Sequence, residues 1–322
     1  MRAIQIEAFG DPKSVLALVD LPEPAAPGAG EILLGVEYAP LNVHDFHVIR
    51  GQFFFMPELP GVVGNEGVGK VLQVGEGVTN VAVGDRVLAP LYSYTWRERM
   101  VVSAEGLTAL PIDADPVQLS MLGINPPTAG LLMSEYVTLQ PGDWVIQNAA
   151  NSGVGRSVIA LAKSRGFKTI NIVRRAELVE ELKQAGGDLV VVDGPDVVAE
   201  IRAVVGDARV PLGIDGIGGA ATGILANIVT HQGYVVAYAL MSGQPAAVET
   251  LDLVMKRIKV TGFFLSYPDF HPKIQAVVEE AAGMVADGQL YVPIAATYPL
   301  SAIAEAVAHV ERGGKVILDI GA

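Results

Sequence analysis

Residues 142 to 175 read GDWVIQNAANSGVGRSVIALAKSRGFKTINIVRR, and the chain's organisation follows from them. An apolar run, Trp144 to Gln147, leads into a loop of small residues. The spacing then predicts a helix from about Gly153 to Ser164 and a second apolar strand from Thr169 to Val173. Strand, helix and strand in this order make a βαβ unit. The loop Ala150-Asn151-Ser152-Gly153-Val154-Gly155 occupies the place of a dinucleotide fold's Gly-rich turn, with Ala150 and Ser152 standing for its first two glycines and Gly155 for the third. Small residues let the backbone approach a pyrophosphate, whose charge meets the helix N-terminal N–H groups. At the end of the second strand, where an NAD site places an acidic residue for the ribose, stand Arg174 and Arg175. Two guanidinium groups suit a 2′-phosphate, so the cofactor expected is NADPH.

Working outward, the chain has 322 residues, enough for two domains, and 51% hydrophobic residues with 36 glycines, which suits a compact α/β protein. A formal charge of −13 repels a phosphate backbone and argues against nucleic acid as a partner. With no cysteine there is neither a disulfide nor a thiolate ligand or nucleophile. No apolar stretch approaches the length of a membrane span, and MRAIQIEAFG carries no apolar leader core, so a cytoplasmic location without a membrane is expected.

The first hundred residues read as mostly β, with short apolar runs (Glu31 to Glu37, Gly67 to Val74, Asp85 to Ala89) between Gly and Pro turns, as in a barrel or sandwich. From about Asp113 to Thr138 a helical stretch contains Asn125-Pro126-Pro127. After the βαβ unit, strands expected at Leu189 to Val192, Leu212 to Asp215, Tyr234 to Ala237 and Lys259 to Phe264 alternate with helices, which calls for a doubly wound parallel sheet. The tail from about Tyr291 returns a helix (Ser301 to Glu311) and a strand (Lys315 to Ile320). The expected division is residues 1–118 with 284–322 as a β-rich domain, and 119–283 as a Rossmann domain.

This order of parts resembles the medium-chain dehydrogenase/reductase superfamily over essentially the whole chain, and the resemblance implies that the β-rich part is a GroES-like barrel. Gly64-Asn65-Glu66-Gly67 is similar to the superfamily's Gly-His-Glu motif, with Asn65 in place of the zinc-ligating histidine. The cysteines of the zinc branch are missing too, so no metal is expected. Pro57-Glu58-Leu59-Pro60, Leu122-Gly123-Ile124-Asn125-Pro126 with Thr128-Ala129, and Val145-Ile146-Gln147-Asn148-Ala149 running into Asn151-Ser152-Gly153-Val154-Gly155 resemble most the 2-enoyl thioester reductase branch. That resemblance implies NADPH-dependent reduction of a carbon–carbon double bond conjugated to a carbonyl in a small-molecule substrate, by a homodimer joined through the Rossmann sheet edge.

Carried over residue by residue, the resemblance gives Asn125, Asn151, Ser152, Gly153 and Val154 the phosphates and nicotinamide ribose. Arg174 and Arg175 take the 2′-phosphate. Tyr238, Ala239, Leu240 and Met241, with Phe263, Phe264 and Leu265, line the nicotinamide side, and Lys315 reaches back from the tail. One departure stands out. The branch's proton-donating tyrosine follows a Gly-Asn pair, and here, in Arg50-Gly51-Gln52-Phe53-Phe54-Phe55-Met56-Pro57, its place is held by Phe53, which has no proton to give. Tyr94 is the substitute singled out; Tyr92 alternates with it as a donor or core residue, and His44 and His47, near Asn42 and Asp45, are read as general acids or structural histidines. Phe53, Phe54, Phe55 and Met56 would wall an acyl chain or ring, or pack as core beneath a loop. Three readings stay open: an enoyl thioester or related enone reductase; a quinone oxidoreductase, which tolerates Phe53 because solvent supplies protons; and a non-catalytic NADPH-binding protein.

Overall fold

The computed structural model describes residues 1–322 and resolves them into two compact units. The first comprises Met1–Ile124, Ala282–Gly288 and Val292–Ala322; the second, Asn125–Ala281 with Gln289–Tyr291. The sequence reading put the break after residue 118. The segment up to Ile124 stays with the first unit because Gln118 exchanges two buried hydrogen bonds with the Val292 backbone (2.9 and 2.8 Å), and the Ile124 N–H donates to Glu66 at 3.0 Å. The chain then enters the second unit on a helix, Asn125–Ser134, whose second and third residues are prolines. Proline suits a helix's first turn, since those N–H groups have no acceptor in any case.

The second unit is built on a six-stranded sheet with all neighbours parallel. Its order is Leu189–Val192, Lys168–Val173, Trp144–Gln147, Leu212–Asp215, Tyr234–Ala237, Lys259–Gly262. This is the doubly wound order, with its reversal between Trp144–Gln147 and Leu212–Asp215. Central strands of such a sheet are covered on both faces, which is why they read as unbroken apolar runs. Helix Gly153–Ser164 buries Ile159 with Val173 and Val190 of the sheet, and Val158 and Leu161 are buried as well, each worth about 1.5–3 kcal/mol relative to exposure. A helix absent from the expectation, His271–Ala286, also folds here along most of its length.

The first unit holds a sheet ordered Ile294–Pro299, Lys315–Asp319, Glu31–Leu41, Val68–Val74, Arg86–Leu88, with Arg99–Ser103 also pairing Glu31–Leu41, and a three-stranded sheet of Leu16–Asp20, Arg2–Ile6 and Gly61–Val62. The tail strand lies antiparallel to Glu31–Leu41, pairing Val316 with Leu41. Ile4, Ile32, Leu34, Trp96, Val316 and Leu318 are among the residues of its buried core. Alternation of buried and half-buried residues along Glu31–Leu41 (Ile32, Leu34 and Val36 inward) is the period-2 signature of a sheet with one face on the core.

Candidate active site

In the second unit, every expected cofactor residue except Lys315 sits at or just beyond the carboxyl end of a parallel strand, or packs against a loop that does, where open sheets of this kind bind ligands. The loop after Trp144–Gln147 turns sharply: Ala149 is held at φ 49°, and Ser152 caps the helix by accepting from the Gly155 N–H at 3.1 Å. Two glycines are required sterically. A Cβ on Gly155 would come 2.5 Å from the Ala150 carbonyl oxygen, and one on Gly153 2.7 Å from Cγ of Asn125. Asn125 is buried against that glycine, and its Nδ2 has no partner in the protein. An unpaired buried amide costs about 1–3 kcal/mol. A donor of this kind next to a helix N-terminus is suited to a bound anion or hydroxyl.

Three strand ends are knit together beneath this loop. Asn148 donates to Asp215 (2.7 Å) and accepts from the Gly216 N–H (2.8 Å). Asp215 also accepts from the N–H groups of Ile217 and Gly218 (both 2.9 Å) and from the Thr222 hydroxyl (2.5 Å). Tyr238 leans over the same turn: a Cβ on Gly216 would meet its hydroxyl at 2.5 Å. Burial pushes the Tyr238 phenol up to about 12, with the Asp215 charge adding and a hydrogen bond with Ser152 opposing. Beyond it Leu240 and Met241 stand exposed.

Arg174 and Arg175 follow strand Lys168–Val173 and are exposed; Arg175 meets Glu177 at 3.5 Å in an exposed pair. Nothing in the sequence reading pointed to Arg156. Its side chain is buried, Nε donates to the Asn151 carbonyl at 3.2 Å, and it is salt-bridged to Glu181, so it braces the loop from the helix behind. Its signal was a lone arginine on the apolar face of helix Gly153–Ser164.

Two expectations need correction. The side chains of Phe263 and Leu265 are buried, with the Phe263 ring stacked on Phe270 at 5.0 Å; of that trio only Phe264 is half-open. The apolar interior next to helix His271–Ala286 claims them. Lys315, expected to reach back to the cofactor, lies in the first unit and donates from Nζ to Asn42 at 2.6 Å.

That lysine closes a buried polar cluster. Asn42 caps helix Val43–Ile49, its N–H donating to Asp45 (2.7 Å) and its Nδ2 to Glu66 (2.8 Å), while Asn65 donates to the other Asp45 oxygen at 2.7 Å. Asn65 therefore presents a carboxamide already spent on Asp45. With no cysteine in the chain and no group of three or more His, Asp or Glu able to hold a metal ion, the donor set does not fit zinc. Burial, with the Glu66 charge adding, raises Asp45 to about 7 against its bonds to Asn42 and Asn65 and the charge of Lys315. Burial likewise raises Glu66 and lowers Lys315.

The raised carboxyls set a pH dependence. Their folded-state pKa values exceed the unfolded ones, so the folded state holds the extra proton and stability falls as pH climbs from about 4 towards 7. For one proton the slope is at most about 1.4 kcal/mol per pH unit. Asp45→Asn should be less stable than the parent at pH 5 and show a flatter loss between pH 5 and 7 in urea unfolding. An unchanged slope would remove Asp45 from this role.

Also in the first unit, an aromatic cluster forms around Phe53: His44 at 4.1 Å between centroids, Phe54 at 6.0, Phe55 at 6.3 and Tyr92 at 6.4 Å, with Tyr92 on Phe55 at 5.0 Å. It is Tyr92, not Tyr94, that packs at Phe53. Both tyrosines have left-handed backbones (φ 61° and 60°), an arrangement that costs about 1–3 kcal/mol each and persists only where neighbours enforce it. Here the Tyr92 N–H donates to Asn65 (3.2 Å), the Thr95 N–H to Gly64 (3.1 Å) and the Thr95 hydroxyl to Glu66 (2.7 Å). Burial lowers His44 to about 4, so it is neutral near pH 7, while His47, one turn further along the helix, is exposed.

Comparison with known proteins follows the same outline. The family model for the alcohol dehydrogenase GroES-like domain matches residues 28–150, and that for zinc-binding dehydrogenases matches residues 153–283. The mitochondrial enoyl-[acyl-carrier-protein] reductase of Dictyostelium discoideum is 36% identical over 82% of this chain and 78% of its own length. The chain belongs to the medium-chain dehydrogenase/reductase superfamily, in its enoyl thioester reductase branch. Among solved members, Etr1p, the enoyl thioester reductase of Candida tropicalis, in complex with NADP and crotonyl-CoA shares the fold with a TM-score of 0.89 at 22% identity, covering 99% of both chains. A mycobacterial quinone oxidoreductase is 27% identical with a TM-score of 0.85, over 99% of this chain and 99% of its own. As a medium-chain reductase the chain keeps its superfamily's two domains while lacking the ligands that one matching model's name implies. No helix is long and apolar enough to cross a membrane, and the enoyl reductase relatives are named mitochondrial where the sequence reading expected cytoplasm.

Proposed function

We propose that this protein reduces the carbon–carbon double bond of a 2-enoyl thioester with NADPH. The observation that carries the reading is the strand-end pair Arg174 and Arg175 beside a loop whose glycines cannot accept a Cβ, in a chain related to enoyl-[acyl-carrier-protein] reductases. NADPH suits the residues present. The unpaired Nδ2 of Asn125 and the N–H groups of Gly153 and Val154 at the helix start would hold the phosphates and ribose. The arginines would hold the 2′-phosphate, and Tyr238 to Met241 with Phe264 would border the nicotinamide. When bound, NADPH supplies the hydride. Arg156 keeps the loop in place.

The substrate's acyl chain would lie along Phe53, Phe55 and Tyr92, and Tyr92 is the phenol best placed to deliver the α-carbon proton, with Tyr94 as the alternative. A quinone is the second reading, favoured by Phe53 in the donor's place and by the 27% identical quinone oxidoreductase. NADPH oxidation followed with crotonyl-CoA, with a quinone and with neither separates these from a non-catalytic NADPH-binding protein. Turnover with crotonyl-CoA is expected, and its absence beside quinone turnover would reverse the order.

The working unit in this reading is a homodimer of two copies of the sheet edge. Strand Lys259–Gly262 is exposed along its whole length. Beside it Leu251 (73% exposed), Val254 and Met255 (72%) form an apolar surface of the kind that marks an interface. Val260→Lys should convert a dimer in sedimentation equilibrium to a monomer, and a parent that sediments as a monomer would end the proposal.

A further inference from the structure

His44 is the second residue of helix Val43–Ile49. Its ring packs on Phe53 with centroids 4.1 Å apart, and the Tyr92 ring stands edge-on to it at 5.6 Å. Its Nε2 is buried and has no hydrogen-bond partner in the protein. Buried polar atoms are nearly always paired, and a group left unpaired calls for an explanation such as a ligand that completes it. A leucine or phenylalanine would fill the same space without stranding a nitrogen. Burial lowers the pKa of His44 to about 4, with the charge of His47 adding to the effect. At neutral pH the ring is therefore uncharged, and it carries one N–H.

We propose that His44, with its proton on Nε2, donates a hydrogen bond to the acyl oxygen of the substrate and polarises its carbonyl. This rests on the enoyl thioester reading above. When the substrate's β-carbon receives a hydride, the electron pair of the double bond moves through the α-carbon onto the acyl oxygen, giving an enolate. His44 keeps its proton and stabilises that oxygen. The pair then returns to the α-carbon, which takes the proton assigned to Tyr92, and the phenolate recovers a proton from water. One hydride and one proton are added, and no group leaves. A neutral donor is suited to this task because Nε2 is itself shielded from water, where a hydrogen bond is worth more and an imidazolium would have to be desolvated first.

The test uses the full-length protein with crotonyl-CoA as substrate and butanoyl-CoA as the unreactive saturated analogue. His44→Phe should lower kcat on crotonyl-CoA by about 10²–10³-fold, the usual loss for one oxyanion donor, while NADPH affinity and thermal stability stay at the parent's values. His44→Gln, whose carboxamide keeps a donor, should recover kcat to within about tenfold of the parent. In ¹⁵N-histidine spectra of the parent, butanoyl-CoA should shift the Nε2 resonance of His44. A folded His44→Phe protein whose kcat is within about threefold of the parent would overturn the proposal and leave His44 as packing. So would an Nε2 resonance that does not move when butanoyl-CoA saturates the protein. A parent that does not turn over crotonyl-CoA would sink the enoyl thioester reading itself and this proposal with it, an outcome distinct from an active parent indifferent to position 44.

Discussion

Replacing Arg174 and Arg175 together by alanine is expected to weaken NADPH binding by about 10²–10³-fold while leaving NADH binding nearly unchanged. Each charge-assisted hydrogen bond to a phosphate is worth roughly 1.5–3 kcal/mol. Two of them would allow more, but both side chains are exposed, and salt screens exposed charges, so the lower part of the range applies. On binding phosphate, Arg175 would also leave an exposed partner, Glu177, at 3.5 Å; such pairs contribute roughly 0–1 kcal/mol, less than the phosphate bond that replaces it. The effect should shrink as ionic strength rises, which separates it from a collapse of the loop. Gly155 and Arg156 shape the loop, so damage there would weaken both cofactors alike. Titration of the double variant with each cofactor, read by fluorescence, decides the matter: undiminished NADPH affinity would make the arginines surface charge.

The second large effect concerns the proton. Tyr92→Phe is expected to lower turnover of crotonyl-CoA by about 10²-fold, the lower end of what a positioned general acid supplies, and to leave quinone reduction almost untouched, because a quinone's protons come from water. Tyr94→Phe is the control; its ring has no place in the cluster around Phe53. Phe53→Tyr in the Tyr92→Phe background should recover part of the loss, since it restores a hydroxyl where relatives carry one. The recovery should stay incomplete: the new oxygen must desolvate between His44 and Phe54, which pack on residue 53 at 4.1 and 6.0 Å. If Tyr92→Phe and Tyr94→Phe both turn over crotonyl-CoA at the parent's rate, neither phenol delivers the proton, and the quinone reading moves ahead.

The second unit's parallel strands were legible because each buried strand is a short apolar run closed by a turn, and because Ser152, Gly153 and Gly155 announce the helix they begin. Strands Trp144–Gln147, Leu189–Val192, Leu212–Asp215 and Tyr234–Ala237 all lie where the sequence reading put them. Helix His271–Ala286 was equally legible in principle. Ile274, Val277, Val278, Ala281, Ala282 and Val285 recur at helical spacing, and the turn-rich approach Tyr267-Pro268-Asp269 masked it. The loop at Arg174 and Arg175 was readable from its neighbours alone, because its position is a fixed distance along one βαβ unit.

By itself, then, the sequence determined the architecture, the superfamily, the misfit with zinc and the residues at the parallel sheet's carboxyl edge, all of which depend on local period, turn chemistry and residue type. Only the tertiary structure decided which tyrosine joins Phe53. Tyr92 and Tyr94 share a parity that would put both on one face of a strand, but two left-handed residues flanking Ser93 break that alternation. Only it placed Lys315 on Asn42, a contact across 273 residues, buried Phe263 on Phe270, and left Nε2 of His44 and Nδ2 of Asn125 without partners. Each of these depends on which side chains from distant segments fill the same space, a three-dimensional packing outcome with no period along the chain to reveal it.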